Sequence, residues 1–324
     1  MTTAPILSLP AVPLDGLPPR VTVYEVGARD GLQNESVILP VAIKAEFIER
    51  LSATGLSVVE ATSLVRPDRV PALADAEELL TMLDLSADAP VRYPVLVPNE
   101  HGLDQALALG VREIAVFASA TESFAQRNLG RSLQGSLTMF EPVITRAIAA
   151  GLKVRAYISM CWVDPWEGAV DPENVVFVAG WLRDRGVEEI SLGDTIGAAT
   201  PGAVIRLLEL LANTGIRPDS LAVHFHDTYG QALANTITAL RFGVSTVDSS
   251  AGGLGGCPYA KSATGNLATE DLVWQLNGLG IETGIDLTTL VRTSLWVAGH
   301  LGRPSPSLVV RALAAELTEE ETDA

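Results

Sequence analysis

The stretch VHFHDTYGQ, residues 223–231, places two of the chain's four histidines, His224 and His226, two positions apart in a segment that reads as a β-strand. Successive strand side chains point to opposite faces, so residues two apart share one. The two imidazoles then project toward a common point, which suits a divalent metal ion; a hydrogen-bonded pair of core histidines would use the same geometry. Other polar residues favour the metal: Asp30 in VGARDGLQNE, Glu60, Asp194 in SLGDTIG, and Cys257, Asn266 and Glu270 in GGLGGCPYAKSATGNLATED. Each has an ordinary alternative. Asp30 and Asp194 could be turn residues, Asn266 a helix cap and Cys257 a small buried apolar group. Cys257, however, stands among Gly252, Gly253, Gly255 and Gly256 in a loop too flexible to pack, and a thiol there suits a lid that delivers a proton. Two imidazoles, a carboxylate and an amide oxygen form a mixed N/O donor set without thiolate. Mg2+ or Mn2+ fits it best, and Zn2+ stays open.

Short apolar, β-branched runs must position these groups. They predict strands near 21–26, 57–61, 91–97, 112–118, 153–159, 188–192, 220–225 and 245–249, alternating with amphipathic stretches such as 40–54, 135–150, 171–185 and 229–241. Eight strand-helix units in about 250 residues have the count and size of a (β/α)8 TIM barrel, with a doubly wound open sheet as the alternative. In a barrel, Asp30, Glu60, Asp194, the two histidines and the glycine-rich loop all follow C-terminal strand ends, where barrel chemistry gathers. The predicted organisation is an extended, Pro-rich segment over 1–20, a single barrel domain over 21–312 and an acidic tail over 313–324 that is solvated and mobile.

Composition limits the partners. A net charge of −17 in 324 residues disfavours nucleic acid and anionic membrane surfaces, which need a positive patch. Two cysteines, Cys161 and Cys257, make no disulfide framework or zinc motif and fit a reducing compartment. Residues 1–20 hold five prolines, one Asp and one Arg, unlike a signal or transit peptide, and no run is long enough to span a bilayer. A soluble, cytoplasmic protein acting on small molecules is expected. A Schiff-base aldolase or a pyridoxal enzyme needs a lysine at the barrel mouth, but Lys44 falls in a helix, Lys153 at a strand start and Lys261 in the lid. No GxGxxG follows a strand, so a nicotinamide enzyme is unsupported.

ARDGLQNE, SLGDTIG, HFHDTYGQALAN and GGLGGCPYAKSATGNLATEDL resemble the hydroxymethylglutaryl-CoA lyase family, part of a metallolyase group of TIM barrels that also contains isopropylmalate and homocitrate synthases. The resemblance runs from about Val21 to about Gly284, and the Cys-containing loop is its most specific part. It implies metal ligation by Asp30, His224, His226 and Asn266, with Arg29, Glu60, Asp194 and Cys257 at catalytic or substrate-contacting positions. The implied reaction is cleavage of 3-hydroxy-3-methylglutaryl-CoA to acetyl-CoA and acetoacetate, as in leucine degradation and ketone body formation, by a homodimer acting on an acyl-CoA. That chemistry suits these residue types: a guanidinium such as Arg29 can hold the thioester enolate and a thiol such as Cys257 can protonate it, with Asp194 or His224 as the base. The synthases usually carry Glu after Arg-Asp-Gly, where this chain has Leu32, so the lyase is favoured over acyl-CoA condensation. In SMCWVDPWEG, Trp162, Asp164 and Trp166 depart from mitochondrial relatives and are expected to line the acyl pocket, which leaves a longer 3-hydroxy-3-alkylglutaryl-CoA as an alternative substrate. Arg66, Arg69, Arg127 and Arg131 are candidates for CoA contact, with solvated surface arginine as the plainer reading.

Overall fold

A computed structural model of the protein describes residues 10–256 and 265–322, with backbone alone over 316–322. Eight strands are parallel: β1 (Thr22–Glu25), β2 (Thr62–Ser63), β3 (Val95–Leu96), β4 (Glu113–Ser119), β5 (Lys153–Ser159), β8 (Glu189–Asp194), β9 (Leu221–Phe225) and β10 (Thr246–Ser249). Between β5 and β8, β6 (Val163–Asp164) and β7 (Gly168–Ala169) make a small antiparallel hairpin. The eight strands neighbour one another in chain order from β2 to β10, and β1 lies beside β10. A doubly wound sheet would reverse its order at a switch point; this one does not. Its two edges meet where Glu25 bridges Val59, with Glu25 N–H donating to Val58 O at 3.3 Å and Glu60 N–H to Glu25 O at 2.8 Å. The sheet is therefore a curled, TIM-barrel-like α/β fold, in accord with the alternation read from the sequence.

The strands lie where the sequence predicts them, with one local departure. Regular pairing in the second unit covers Thr62–Ser63 and not 57–61. The earlier residues still hydrogen-bond: Arg92 N–H donates to Ser57 O, Val59 N–H to Arg92 O and Ala61 N–H to Pro94 O. Pro94 has no N–H to return, so the ladder breaks there into single bridges.

Helices cover the outer face, and several are entered by a local signal. Ser132 accepts Gly135 N–H at 3.0 Å at the start of Leu133–Ala149, and Asp171 caps Pro172–Arg183, whose first residue is the proline favoured there. The first of these helices buries Leu137, Phe140, Val143, Ile144 and Ala147 against the sheet. Residues 10–21 run along the end of the helix Thr269–Gly278: Val12 N–H donates to Gly278 O, and Val21 N–H to Glu282 O.

The C-terminal expectation needs correcting. The helix Leu308–Thr322 spans the boundary drawn at 313, so residues up to 322 are not a loose tail. Val310 and Leu313 pack on Val291, while Asp271 accepts Leu308 N–H and Val309 N–H and so caps the helix from outside. Both interactions are nonlocal, and the acidic run alone does not announce them.

Candidate active site

Asp30 follows β1 in a short π-helical turn, Gly27–Gly31; His224 lies in the last two residues of β9, and His226 follows the strand directly. One ligand atom from each of the three lies within 4.8 Å of the others. The two imidazole Nε2 atoms are 3.3 Å apart. Two atoms each about 2.1 Å from a common ion lie at most about 4.2 Å apart, so the pair has a spacing that one ion can span. Asn266 joins from across the site, bridged to His226, with its Nδ2–H donating to Asp30 Oδ2 at 2.8 Å and to Leu254 O at 3.1 Å. Its Oδ1 and His226 Nδ1 are buried polar atoms without a hydrogen-bond partner among the described residues. Such atoms are costly unless something polar reaches them, and a cation meets the need of the carbonyl oxygen.

The electrostatics suit a cation. Burial, followed by the neighbouring His224, holds the His226 ring down to about 4, so near neutrality the ring is uncharged and one of its nitrogens carries a free lone pair. Burial would raise Asp30, but Arg29 and the two histidines outweigh it and hold the carboxyl well below its ordinary value. Arg29 is itself nearly enclosed. Its Nε–H donates to Glu60 Oε2 at 2.6 Å, its Nη1–H donates to Asp30 Oδ1 at 2.5 Å, and its guanidinium lies 5.2 Å from the centre of the Tyr157 ring. Glu60, wholly buried, also accepts the Tyr157 hydroxyl at 3.0 Å. Glu60 therefore holds Arg29, and the Asp30 carboxylate and the guanidinium form one rigid unit.

The remaining predicted residues divide. Asp194 ends β8 near His224, and burial pushes its carboxyl up to about 6. Its two oxygens accept Ala198 N–H and Ala199 N–H, both at 3.0 Å, so it also fixes the following turn. Glu270 is engaged elsewhere than in the Asp30–His224–His226 cluster: it accepts Gly252 N–H and the Ser294 hydroxyl, and with Glu25 it anchors the start of the glycine-rich loop. Cys257 and Lys261 lie outside the described residues. Lys44 is buried in its helix and donates to Ala72 O and Asp75, as expected of a lysine facing away from the mouth.

The acyl-pocket expectation for the hairpin is corrected in two places. Trp162 is buried against Phe225 and donates to Ala203 O at 3.2 Å, and Asp164 is spent on the Thr121 hydroxyl and on Trp166 N–H and Glu167 N–H. Trp166 is the exposed member, stacked under Arg127 at 4.3 Å. Arg66 is exposed and paired with Asp68, beside a cleft that Glu77 and Glu78 make unfavourable for phosphate. Missing from the sequence reading are Asp248, Arg155 and Tyr157. Asp248 Oδ2 lies 3.1 Å from His224 Nδ1, and Arg155 binds the same carboxylate.

The HMGL-like family profile matches residues 20–297, which include every ligand and partner just described. The chain belongs to the HMGL-like family. Among its relatives are the mitochondrial hydroxymethylglutaryl-CoA lyase of Arabidopsis thaliana, 48% identical over 94% of this chain, and the cytoplasmic 3-hydroxy-3-methylglutaryl-CoA lyase of Rattus norvegicus, 49% identical over 92%. The chain spans 64% of the length of the first and 86% of the second. The crystal structure of hydroxymethylglutaryl-CoA lyase from Pseudomonas aeruginosa superposes with a TM-score of 0.89 at 46% identity, covering 93% of this chain and 99% of that one. Relatives of this HMGL-like chain thus carry both compartments in their names. No helix among its described residues is long and apolar enough to cross a membrane.

Proposed function

We propose that this HMGL-like protein is a divalent-metal-dependent carbon-carbon lyase that cleaves 3-hydroxy-3-methylglutaryl-CoA to acetyl-CoA and acetoacetate. The observation that carries the reading is the cluster of Asp30, His224 and His226 with Arg29 bonded directly to its carboxylate. Asp30, His224, His226 and Asn266 would hold the ion, and their N/O donor set favours Mg2+ or Mn2+. A bound divalent ion supplies Lewis-acid polarisation of oxygen ligands.

The protein's own groups account for the rest of the chemistry. Loss of the proton from the tertiary hydroxyl turns that carbon into the ketone of acetoacetate, and the electron pair of the breaking carbon-carbon bond passes into a thioester enolate. Asp194, raised to about 6 by burial, is suited to take the hydroxyl proton. Arg29 is fixed on two sides by carboxylates before substrate arrives, so its remaining edge can meet the enolate oxygen without reorganising. Cys257, on the glycine-rich loop, is assigned the proton that completes acetyl-CoA. The resemblance supports a homodimer, and the bridged sheet edges support a closed barrel. Release of acetyl-CoA, assayed with Mg2+ or Mn2+ across a panel of 3-hydroxy-3-alkylglutaryl-CoA substrates, tests the reading. Fastest turnover of the methyl substrate is expected; turnover of none overturns the lyase, and preference for a longer chain overturns the substrate.

A further inference from the structure

The polar residues inside the sheet form a second layer beneath the metal cluster. Asp248 of β10 stands directly opposite His224 of β9 in the parallel register. Its Oδ2 is 3.1 Å from His224 Nδ1 and accepts the Ser191 hydroxyl at 2.8 Å; its Oδ1 accepts Arg155 Nη2–H at 2.5 Å. Arg155 is in turn immobilised. Its Nε–H donates to Glu189 at 2.6 Å, and its guanidinium lies 3.9 Å from the Tyr24 ring centre and 4.8 Å from that of Tyr157. Asp248, Arg155 and Ser191 are all buried, so no water competes for the contact.

An ionised carboxylate has lone pairs and no hydrogen to give. The hydrogen in the His224–Asp248 contact must then sit on Nδ1, and the other ring nitrogen, Nε2, which faces His226, carries a lone pair. A ring free to exchange tautomers would spend part of its time with Nε2 protonated and unable to ligate. We propose that Asp248, oriented by Arg155, is a positioning residue that locks His224 as the Nδ1–H tautomer and so keeps Nε2 available to the ion held with Asp30 and His226. The inference rests on the metal reading of that cluster and adds to it a requirement from residues that do not touch the ion.

A purely structural role for the Arg155–Asp248 pair would leave the tautomer indifferent, and Asp248→Asn separates the two. Arg155 offers only donors, and its Nη2–H bond to Oδ1 at 2.5 Å is much shorter than its Nη1–H bond to Oδ2 at 3.3 Å, so the asparagine is expected to keep its carbonyl oxygen at the Oδ1 position. Its amide NH2 then takes the place of Oδ2 against His224 and forces Nδ1 to accept, which moves the ring hydrogen to Nε2. Two measurements are made on the full chain. Long-range 1H–15N correlation of 15N-histidine-labelled, metal-free protein reads the tautomer, and titration with Mn2+ followed by electron paramagnetic resonance reads affinity.

The wild type is expected to show His224 with hydrogen on Nδ1. The asparagine variant is expected to show it on Nε2 and to bind Mn2+ about ten- to a hundredfold more weakly, with a cooperative thermal transition retained. A wild-type Nε2–H tautomer overturns the proposal whether or not the variant folds. So does a folded variant with unchanged tautomer and unchanged Mn2+ affinity. Because the tautomer is read without metal or substrate, a protein that shows the switch and the weakened Mn2+ binding but releases no acetyl-CoA from any of the acyl-CoA substrates supports this inference and overturns the proposed reaction.

Discussion

Replacing Arg29 by lysine tests the division of labour at the site most directly. The guanidinium uses Nε for Glu60 at 2.6 Å and Nη1 for Asp30 at 2.5 Å, while Nη2 makes no hydrogen bond among the described residues and remains for substrate. An ammonium puts its three hydrogens on one nitrogen at the end of a flexible stem and cannot reproduce a planar fork that serves three sites. If it stays with the carboxylates, the donor to the developing enolate is lost; removal of one such donor costs about 2.7–4 kcal/mol, or about 100- to 1,000-fold in kcat. Within the ground state, one charge-assisted hydrogen bond to a buried carboxylate also disappears, at about 1.5–3 kcal/mol. Arg29→Lys should therefore lower Tm by roughly 2–4 °C while remaining folded at assay temperature. Acetoacetate release at saturating metal gives kcat and KM separately, and Mn2+ affinity should stay within about threefold because Asp30 itself is untouched. A loss confined to KM would refute the argument, since it would make Arg29 an anchor that binds substrate and transition state alike.

His226→Ala should weaken Mn2+ binding and activity together by tens of fold or more in a folded protein; metal affinity equal to wild type would remove His226 from the ligand set. Cys257→Ser should bind substrate and metal almost normally yet turn over at least about a hundredfold more slowly, since a hydroxyl is far less acidic than a thiol. A thiol reagent should inactivate the wild type, and substrate should protect it; near-normal kcat in the serine variant would assign the proton elsewhere. Stability should also depend on pH in a particular sense. Burial pushes Glu25 up to about 7 and Glu270 up to about 8 from an ordinary value of 4.5, so the folded state holds protons that the unfolded chain has released. Stability from these two groups is then greatest at the acid end of that window and falls as pH rises through it. His226, held at about 4, works the other way: its contribution is lost as pH falls from about 6.5 toward 4. Glu270→Gln should flatten the decline in Tm between about pH 4.5 and 8, where the unfolded carboxyl has released its proton and the folded one has not, and an unchanged slope in urea or heat would count against the account.

The alternation of β-branched runs with amphipathic stretches was enough to place the parallel strands, because both faces of such a sheet are buried and its strands read as continuous apolar runs. Convergence of Asp30, His224, His226 and Asn266 followed from that architecture alone, since successive strand ends share one rim. Arg155 and Asp248 were harder. A charged residue inside a strand ordinarily signals a solvated face, yet Arg155 and Tyr157 are two apart like the histidines and share the interior face, and that spacing was a readable signal. Trp162 and Asp164 misled because their partners, Ala203 and Thr121, come from distant segments. The Leu308–Thr322 helix had a local signal in Ser307, whose hydroxyl accepts Val310 N–H at 3.1 Å, but Asp271, which holds that hydroxyl and the first free N–H groups, lies in another helix.

Pro94 has a consequence for how the cylinder breathes. The ladder is seven residues long between β4 and β5, but the third strand pairs through only two residues on either side, and on the side facing the second strand Pro94 donates nothing. Glu25 and Val59 complete the ring with a single bridge next door. Cooperative opening should start along this seam, so amides of Val59, Ala61 and Leu64 should exchange with solvent deuterium sooner than those of β4 and β5. Glu60 sits on the same seam, and a transient parting there would loosen the carboxylate that aims Arg29. The place where the wall is easiest to open and the place where the reaction is steered are one stretch of backbone.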